Sequence, residues 1–78
     1  MALAERKATL YVDVARAYTQ WGRYAEGLAA LRTAHRIAPE EVRYRPAVQR
    51  IAADLTLLTK GSIRSAAIEF AEDTGVLR

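Results

Sequence analysis

The fold of this protein is decided by residues 3–24, which read LAERKATLYVDVARAYTQWGRY. Apolar side chains recur there at spacings of seven, four, three and four residues, as on one face of an α-helix. The stripe consists of Leu3, Leu10, Val14, Ala17 and Trp21, widened by Tyr11, Ala15 and Tyr18. Gly22 follows the last periodic residue, where a left-handed cap costs glycine no strain. The pattern predicts one long amphipathic helix, helix A, with Trp21 and the tyrosines packed in the core.

A second helix follows almost at once. The apolar pattern restarts at Tyr24 and stops at Pro39, which has no backbone N–H to donate within a helix. Helix B is therefore predicted over residues 24–38. Because only Gly22 and Arg23 join the two helices, they must pack as an antiparallel hairpin. Gly27 lowers the helix propensity of helix B, which indicates a close backbone approach to helix A.

The remaining residues predict an irregular elbow and two further helices. Pro39 could open another helical turn, but Pro46 disfavours helical angles just before it, so we expect an elbow at 39–45. Helix C is predicted over 46–59, and helix D from an N-cap at Ser62 to Gly75. We assign no structure to the tail, Val76-Leu77-Arg78. The predicted core positions of helices B, C and D are Tyr24, Leu28, Leu31, Ala34, His35, Ala38, Val48, Ile51, Ala52, Leu55, Leu58, Ile63, Ala66, Ala67, Phe70 and Ala71. The prediction is an all-α fold of four helices.

Composition excludes several classes of function. The chain has 78 residues, 51% of them apolar, with 12 Lys and Arg against 9 Asp and Glu, a net charge of +3. It contains no cysteine and one histidine. The chain therefore lacks the residues needed for a disulfide, for metal binding by cysteine or for ligation of a cofactor. We therefore expect no enzyme activity, no metal and no cofactor. No run approaches the ~20 apolar residues of a membrane span, and the N-terminal residues lack the order of a signal peptide, so a cytoplasmic protein without membrane contact is expected.

Residues 8–41 resemble one tetratricopeptide repeat of 34 residues. The resemblance is carried by Tyr11, Val14, Ala15, Tyr18, Gly22, Arg23, Tyr24, Glu26, Gly27, Leu31, Ala34 and Pro39. Tyr11 stands where the repeat usually has Trp, Ala15 where it has Gly, and Leu31 where it has a large aromatic residue. Advancing by 34 residues gives a poor second match, so residues of about 46–75 are predicted as a degenerate or capping hairpin within one domain, 1–78. Since about three repeats are needed for independent stability, the pattern indicates a missing neighbour.

Residues 5–58 also resemble the C-terminal region of bacterial helix-turn-helix regulators of the xenobiotic-response-element type. The segments that carry this resemblance are ATLYVDVARAYTQWGR at 8–23 and AHRIAPEEVRYRP at 34–46. In that family a DNA-binding domain precedes tetratricopeptide-like repeats that sense a ligand or partner and support dimerisation. The resemblance implies a non-catalytic protein–protein interaction module, the sensing and assembly part of a transcriptional regulator. It leaves open whether the chain is a fragment, a truncated relative or a stand-alone protein.

Self-association is the mechanism that the sequence favours, because pairing two chains would cover the apolar surface left by missing repeats. The residues predicted to contribute are Leu3, Leu10, Tyr11, Leu55, Leu58, Ile63 and Phe70. By resemblance, the polar side of helix A would line a concave groove for a protein or peptide partner. The candidates there are Thr9, Val12, Arg16, Thr19 and Gln20, and an Arg16 guanidinium could pair with a partner's carboxylate. The alternative interpretation of this side is an ordinary solvated face.

An arginine cluster supports an alternative function, that of a small basic nucleic-acid-binding protein. The cluster consists of Arg32, Arg36, Arg43, Arg45 and Arg50. Binding to phosphates would weaken steeply with salt, and base-reading donors should lie on an exposed helix. The hairpin of helices C and D superficially resembles a helix-turn-helix, but helix D carries Arg64 against three acidic side chains. Because that balance repels phosphate, direct DNA binding by this segment is not expected.

Overall fold

The computed structural model describes residues 3–75, which form five α-helices and no strand. The helices are α1 (Leu3–Gln20), α2 (Tyr24–Ile37), α3 (Pro39–Arg43), α4 (Pro46–Leu58) and α5 (Gly61–Asp73). The predicted all-α class is confirmed, with four long helices and one short helix between them. The tail at 76–78 lies outside the described residues.

The turn between α1 and α2 has the predicted geometry. Gly22 adopts a left-handed φ of 81°, which glycine reaches without strain. Its N–H donates to the Thr19 carbonyl at 3.1 Å, and the Arg23 N–H donates to the Tyr18 carbonyl at 2.8 Å. These two bonds form a Schellman cap that satisfies the last carbonyls of α1 and reverses the chain. α1 and α2 consequently pack along their length, the most extensive helix pair in the structure.

Gly27 marks the close approach of α2 to α1, as predicted. A Cβ at this position would lie 2.6 Å from Thr19 Oγ1 and 3.3 Å from the Ala15 carbonyl oxygen. Real Cβ atoms are essentially never found at the first of these distances. The residue therefore sets the spacing of the first hairpin.

Two local predictions are wrong. The expected irregular elbow at 39–45 is largely the short helix α3, because Pro39 already has the backbone φ of a first helical residue and the acidic pair after it favours a helix N-terminus. α3 buries Val42 completely. Ser62 is not the N-cap of the last helix: α5 begins at Gly61, its N-cap is Lys60, and no side chain caps it.

The core lies between the two hairpins, and α2, α4 and α5 bury the faces that their periodicities predict. The buried apolar side chains are Ala8, Val12, Ala15, Leu28, Ala30, Leu31, Ala34, Val42, Val48, Ile51, Ala52, Leu55, Ala67, Phe70 and Ala71. The Cα radius of gyration is 11.3 Å, close to the ~11.5 Å expected of a compact chain of this length. The two hairpins thus enclose a core between them. The predicted need for a neighbouring repeat concerns only the apolar surface that lies outside this core.

α1 faces the core with a different side from the one predicted. Its buried residues are Ala8, Val12 and Ala15, whereas Leu3 and Leu10 of the predicted stripe are exposed. Small side chains face α2 because Gly27 brings the two helices so close that large ones do not fit between them. Trp21, predicted to pack in the core, is also exposed and packs edge-to-face with Tyr18, with 6.4 Å between ring centroids.

Candidate interaction surfaces

One outer side of α1 and of the turn after it carries a row of mostly apolar side chains, which we call the outer seam and define as Leu3, Lys7, Leu10, Val14, Ala17 and Trp21. Their spacing alternates between four and three residues, as at the contact positions of a coiled coil. Leu3 is 67% exposed, Leu10 61% and Trp21 74%. Val14 is half-buried, and Lys7 is the seam's one charged member. Such a row of large apolar side chains on the outside of a helix is suited to packing against another helix.

The outer seam has a hollow at its N-terminal end and a protruding side chain at the other. The hollow has a volume of about 520 Å³. Its lining residues are Leu3, Ala4, Lys7, Leu10, Tyr11 and Ile37. At the opposite end, Val14, Ala17, Tyr18 and Trp21 surround a smaller depression of about 170 Å³. The surface therefore offers both a recess and a projection.

A polar groove lies between α1 and α4. It has a volume of about 370 Å³, and the residues that line it are Arg16, Thr19, Gln20, Ala47, Arg50, Ile51 and Asp54. Two guanidinium groups in one groove can pair with carboxylates, while Asp54 gives the same groove a site for a cation. The groove thus suits a ligand that carries both negatively and positively charged groups.

Three of the five predicted groove residues line this groove, namely Arg16, Thr19 and Gln20. Val12 was misassigned: it is 2% exposed and belongs to the core, because it lies on the side of α1 that faces α2. Thr9 is half-buried and accepts a hydrogen bond from Arg45 instead of lining the groove.

The residues of α4 that line the groove were not predicted, although the sequence contains a signal for them. Arg50 follows Arg16 by 34 residues, and Asp54 follows Gln20 by the same interval. A repeat of that length brings such positions onto neighbouring helices. The large apolar residues of the second copy match poorly, whereas two of its polar positions, Arg50 and Asp54, line the groove.

The predicted arginine cluster is divided among separate surfaces. Arg32 and Arg36 line a hollow between α2 and α5, together with His35, Phe70 and Asp73. Arg43 donates to the Asp73 carbonyl oxygen at 3.3 Å and lies over the ring of Tyr44, 5.7 Å from its centroid. Arg50 lines the groove between α1 and α4. The five guanidinium groups therefore do not form one continuous patch.

Arg45 holds the start of α4 against α1. Its Nη2 donates to Thr9 Oγ1 at 2.6 Å and to Glu41 Oε1 at 3.3 Å. Because the side chain is only half-buried, we expect Arg45→Gln to lower the free energy of unfolding by about 1 kcal/mol, below the full value of a charged hydrogen bond. Urea unfolding followed by circular dichroism measures this loss.

Arg50→Gln is the matched control for that substitution. It removes the same charge at an exposed position within α4, and we expect a change within about 0.5 kcal/mol. Equal losses in the two variants would mean that net charge, and not the contact with Thr9, accounts for the effect of Arg45.

His35, predicted as a core position, is half-buried, and its ring packs edge-to-face with that of Phe70, with 5.8 Å between centroids. Within residues 3–75, no three His, Asp or Glu side chains are grouped so that they could hold a metal ion. In the same part of the chain, none of the helices has the length and apolarity required to cross a bilayer.

A scan against protein-family models finds no match to this chain, and searches of curated proteins and of solved structures find none. The surfaces described above are therefore the basis for assigning its function.

Proposed function

We propose that this chain is a non-catalytic protein–protein interaction module that self-associates through the outer seam of α1. The single observation that carries this proposal is the exposure of Leu3, Leu10 and Trp21 along one side of the longest helix. Large apolar side chains that recur along one side of a helix and remain exposed favour a surface that another molecule covers. Covering the seam removes the apolar area from water, which favours association.

The cellular role we propose is that of the sensing and assembly part of a bacterial transcriptional regulator acting in the cytoplasm. Two consecutive helical hairpins support a tetratricopeptide-like arrangement. The 34-residue interval between Arg16 and Arg50, and between Gln20 and Asp54, supports it as well. In this role the seam assembles the module, and the groove between α1 and α4 is the place for a ligand or peptide.

The proposal is tested by the molar mass in solution, measured by light scattering over a wide range of protein concentrations. We expect the mass to rise with concentration from 8.7 kDa toward twice that value. Leu10→Lys places a charge in the middle of the seam, and we expect this variant to stay monomeric at every concentration. Its helical content should match that of the original chain, because Leu10 is outside the core.

Leu57→Lys is the matched control, since Leu57 is 80% exposed but belongs to α4. We expect it to associate as the original chain does. A chain that remains monomeric throughout would overturn self-association, and equal loss of association in both variants would show that the seam is not its site.

A further inference from the structure

We propose that the partner of the outer seam is a second copy of this chain with its α1 running antiparallel. In this pair, Trp21 of each copy occupies the hollow at Leu3 of the other. The inference rests on the proposed self-association and adds the orientation, the register and the residue that anchors the contact.

The side chains of the seam complement one another in antiparallel order. With the two-fold axis near residue 12, Leu3 lies opposite Trp21, Lys7 opposite Ala17, and Leu10 opposite Val14 of the other copy. The small exposed Ala17 leaves room for the methylene stem of Lys7, whose charged end can turn to solvent. In each half of the pair, the Leu3–Trp21 and Leu10–Val14 layers then lie on either side of the Lys7–Ala17 layer.

A parallel pair would place like charges together. It would bring the two Lys7 side chains into the same layer, with Arg6 beside each, and such contacts are destabilising. The antiparallel pair moves the two Lys7 residues ten positions apart along the helices, which is about 15 Å. It also brings each Lys7 to within about one helical turn of the partner's Asp13. Charge therefore favours the antiparallel order.

The shape of the surface favours the same order. Trp21 projects at the C-terminal end of α1, and the hollow of about 520 Å³ lies at its N-terminal end. Only an antiparallel neighbour brings the projection of one copy over the recess of the other. An indole ring fits a space of that volume, and tryptophan in a recess is a common energetic centre of protein contacts.

The arrangement uses the same surface on both copies, so it closes as a dimer and does not propagate into a filament. The contact is small, because α1 has 18 residues and is therefore about 27 Å long. Interfaces of this size are weak, so the dimer should dissociate on dilution. Trp21→Ala should raise the Kd about 30-fold, because it removes the aromatic anchor from both ends of the contact.

Disulfide cross-linking tests the orientation, since the chain has no cysteine of its own. Lys7→Cys and Ala17→Cys are prepared separately, mixed in equal amounts and oxidised in a glutathione buffer. Mass spectrometry separates the three disulfide-linked products. We expect the mixed dimer well above the half that random pairing gives. A predominance of Lys7→Cys homodimer would show a parallel pair and overturn the proposal. Lys7→Cys mixed with Leu57→Cys is the control and should give random pairing.

The fluorescence of Trp21, the chain's one tryptophan, tests the anchor. We expect emission at shorter wavelength in concentrated protein and a shift to longer wavelength on dilution, in step with the fall in molar mass. Ala4→Glu places a charge in the hollow and should abolish both the shift and the dimer. Ala25→Glu, also an exposed residue near a helix N-terminus, is the control and should change neither.

The outcomes separate this inference from the proposed function. Random cross-linking, or a dimer in which Trp21 emission is independent of dilution, overturns the antiparallel register while self-association stands. A chain that is monomeric at all concentrations overturns both. If Leu10→Lys abolishes the dimer but Ala4→Glu does not, the seam is the contact and the hollow is not.

Discussion

Leu55→Ala is expected to leave the chain largely unfolded at 25 °C. Leu55 is completely buried on α4 and belongs to the core between the two hairpins. Truncating a buried leucine costs about 2–5 kcal/mol, from lost burial and the cavity left behind. A single core of this size supplies only about 3–5 kcal/mol in total. The loss is therefore comparable to the entire stability of the molecule.

Far-UV circular dichroism during urea unfolding measures this effect, and Leu57→Ala is the matched control. Leu57 lies two residues further along the same helix and is mostly exposed. We expect its removal to change the free energy of unfolding by no more than about 0.5 kcal/mol. Similar unfolding midpoints for the two variants would mean that α4 does not bury the face described here.

The same contrast explains why most of the fold is predictable from the sequence. Helices α2, α4 and α5 each carry one apolar face, so the 3.6-residue period identifies the buried side without knowledge of the neighbours. Leu31 on α2, Ile51 on α4 and Phe70 on α5 were all placed correctly in the core. Leu58 continues the same pattern on α4 but is exposed, at the residue where the helix ends.

The period does not identify the buried side of α1, because this helix has two apolar sides. One consists of large residues, such as Leu10 and Trp21, and the other of small ones, such as Ala8 and Ala15. The larger apolar residues predict that the first side faces the core. The close approach of α2 at Gly27 requires instead that the second side, with its small residues, faces α2. The close approach at Gly27 is predicted correctly, whereas the prediction that the stripe of large residues on α1 faces the core is wrong. The residue on α2 that fixes the spacing also decides which side of α1 faces inward.

Prediction of the self-association interface also depended on which side of α1 faces the core. Leu55 and Phe70, proposed as interface residues, are buried in the core, while Leu3, Leu10, Tyr11 and Leu58 are exposed; Ile63 is half-buried. Proximity in the sequence also does not predict whether the arginines share one surface, because helix packing places their side chains on different surfaces. The division between core and seam followed only from the three-dimensional arrangement of α1.

Gly27→Val is expected to destabilise the fold by about 3 kcal/mol, the upper range of the cost of overpacking. The new Cβ would lie 2.6 Å from Thr19 Oγ1 and 3.3 Å from the Ala15 carbonyl oxygen. Thr19 cannot simply turn away, because its hydroxyl donates to that carbonyl at 2.8 Å. Valine adds two methyl groups with few rotamers in a helix, so the two helices must separate.

Ala29→Val is the control for this substitution, because Ala29 is exposed on the same helix and should lose only the few tenths of a kcal/mol that separate the helix propensities of the two residues. Thermal unfolding distinguishes the two variants. Equal stability would mean that α1 and α2 are not in close contact at Gly27.

A smaller substitution identifies the atom responsible. Alanine is preferred over glycine in a helix by about 1 kcal/mol, so Gly27→Ala should stabilise the chain wherever space permits. Here we expect it to destabilise the chain, because Thr19 Oγ1 occupies the space. In a Thr19→Ala background that oxygen is gone, and the same Gly27→Ala change should become neutral or stabilising. A change that destabilises equally in both backgrounds would assign the conflict to the Ala15 carbonyl oxygen. A reversal of sign would show that the Thr19 hydroxyl is what restricts this position to glycine, at the point where α1 and α2 approach so closely that the large side chains of α1 lie on the outside.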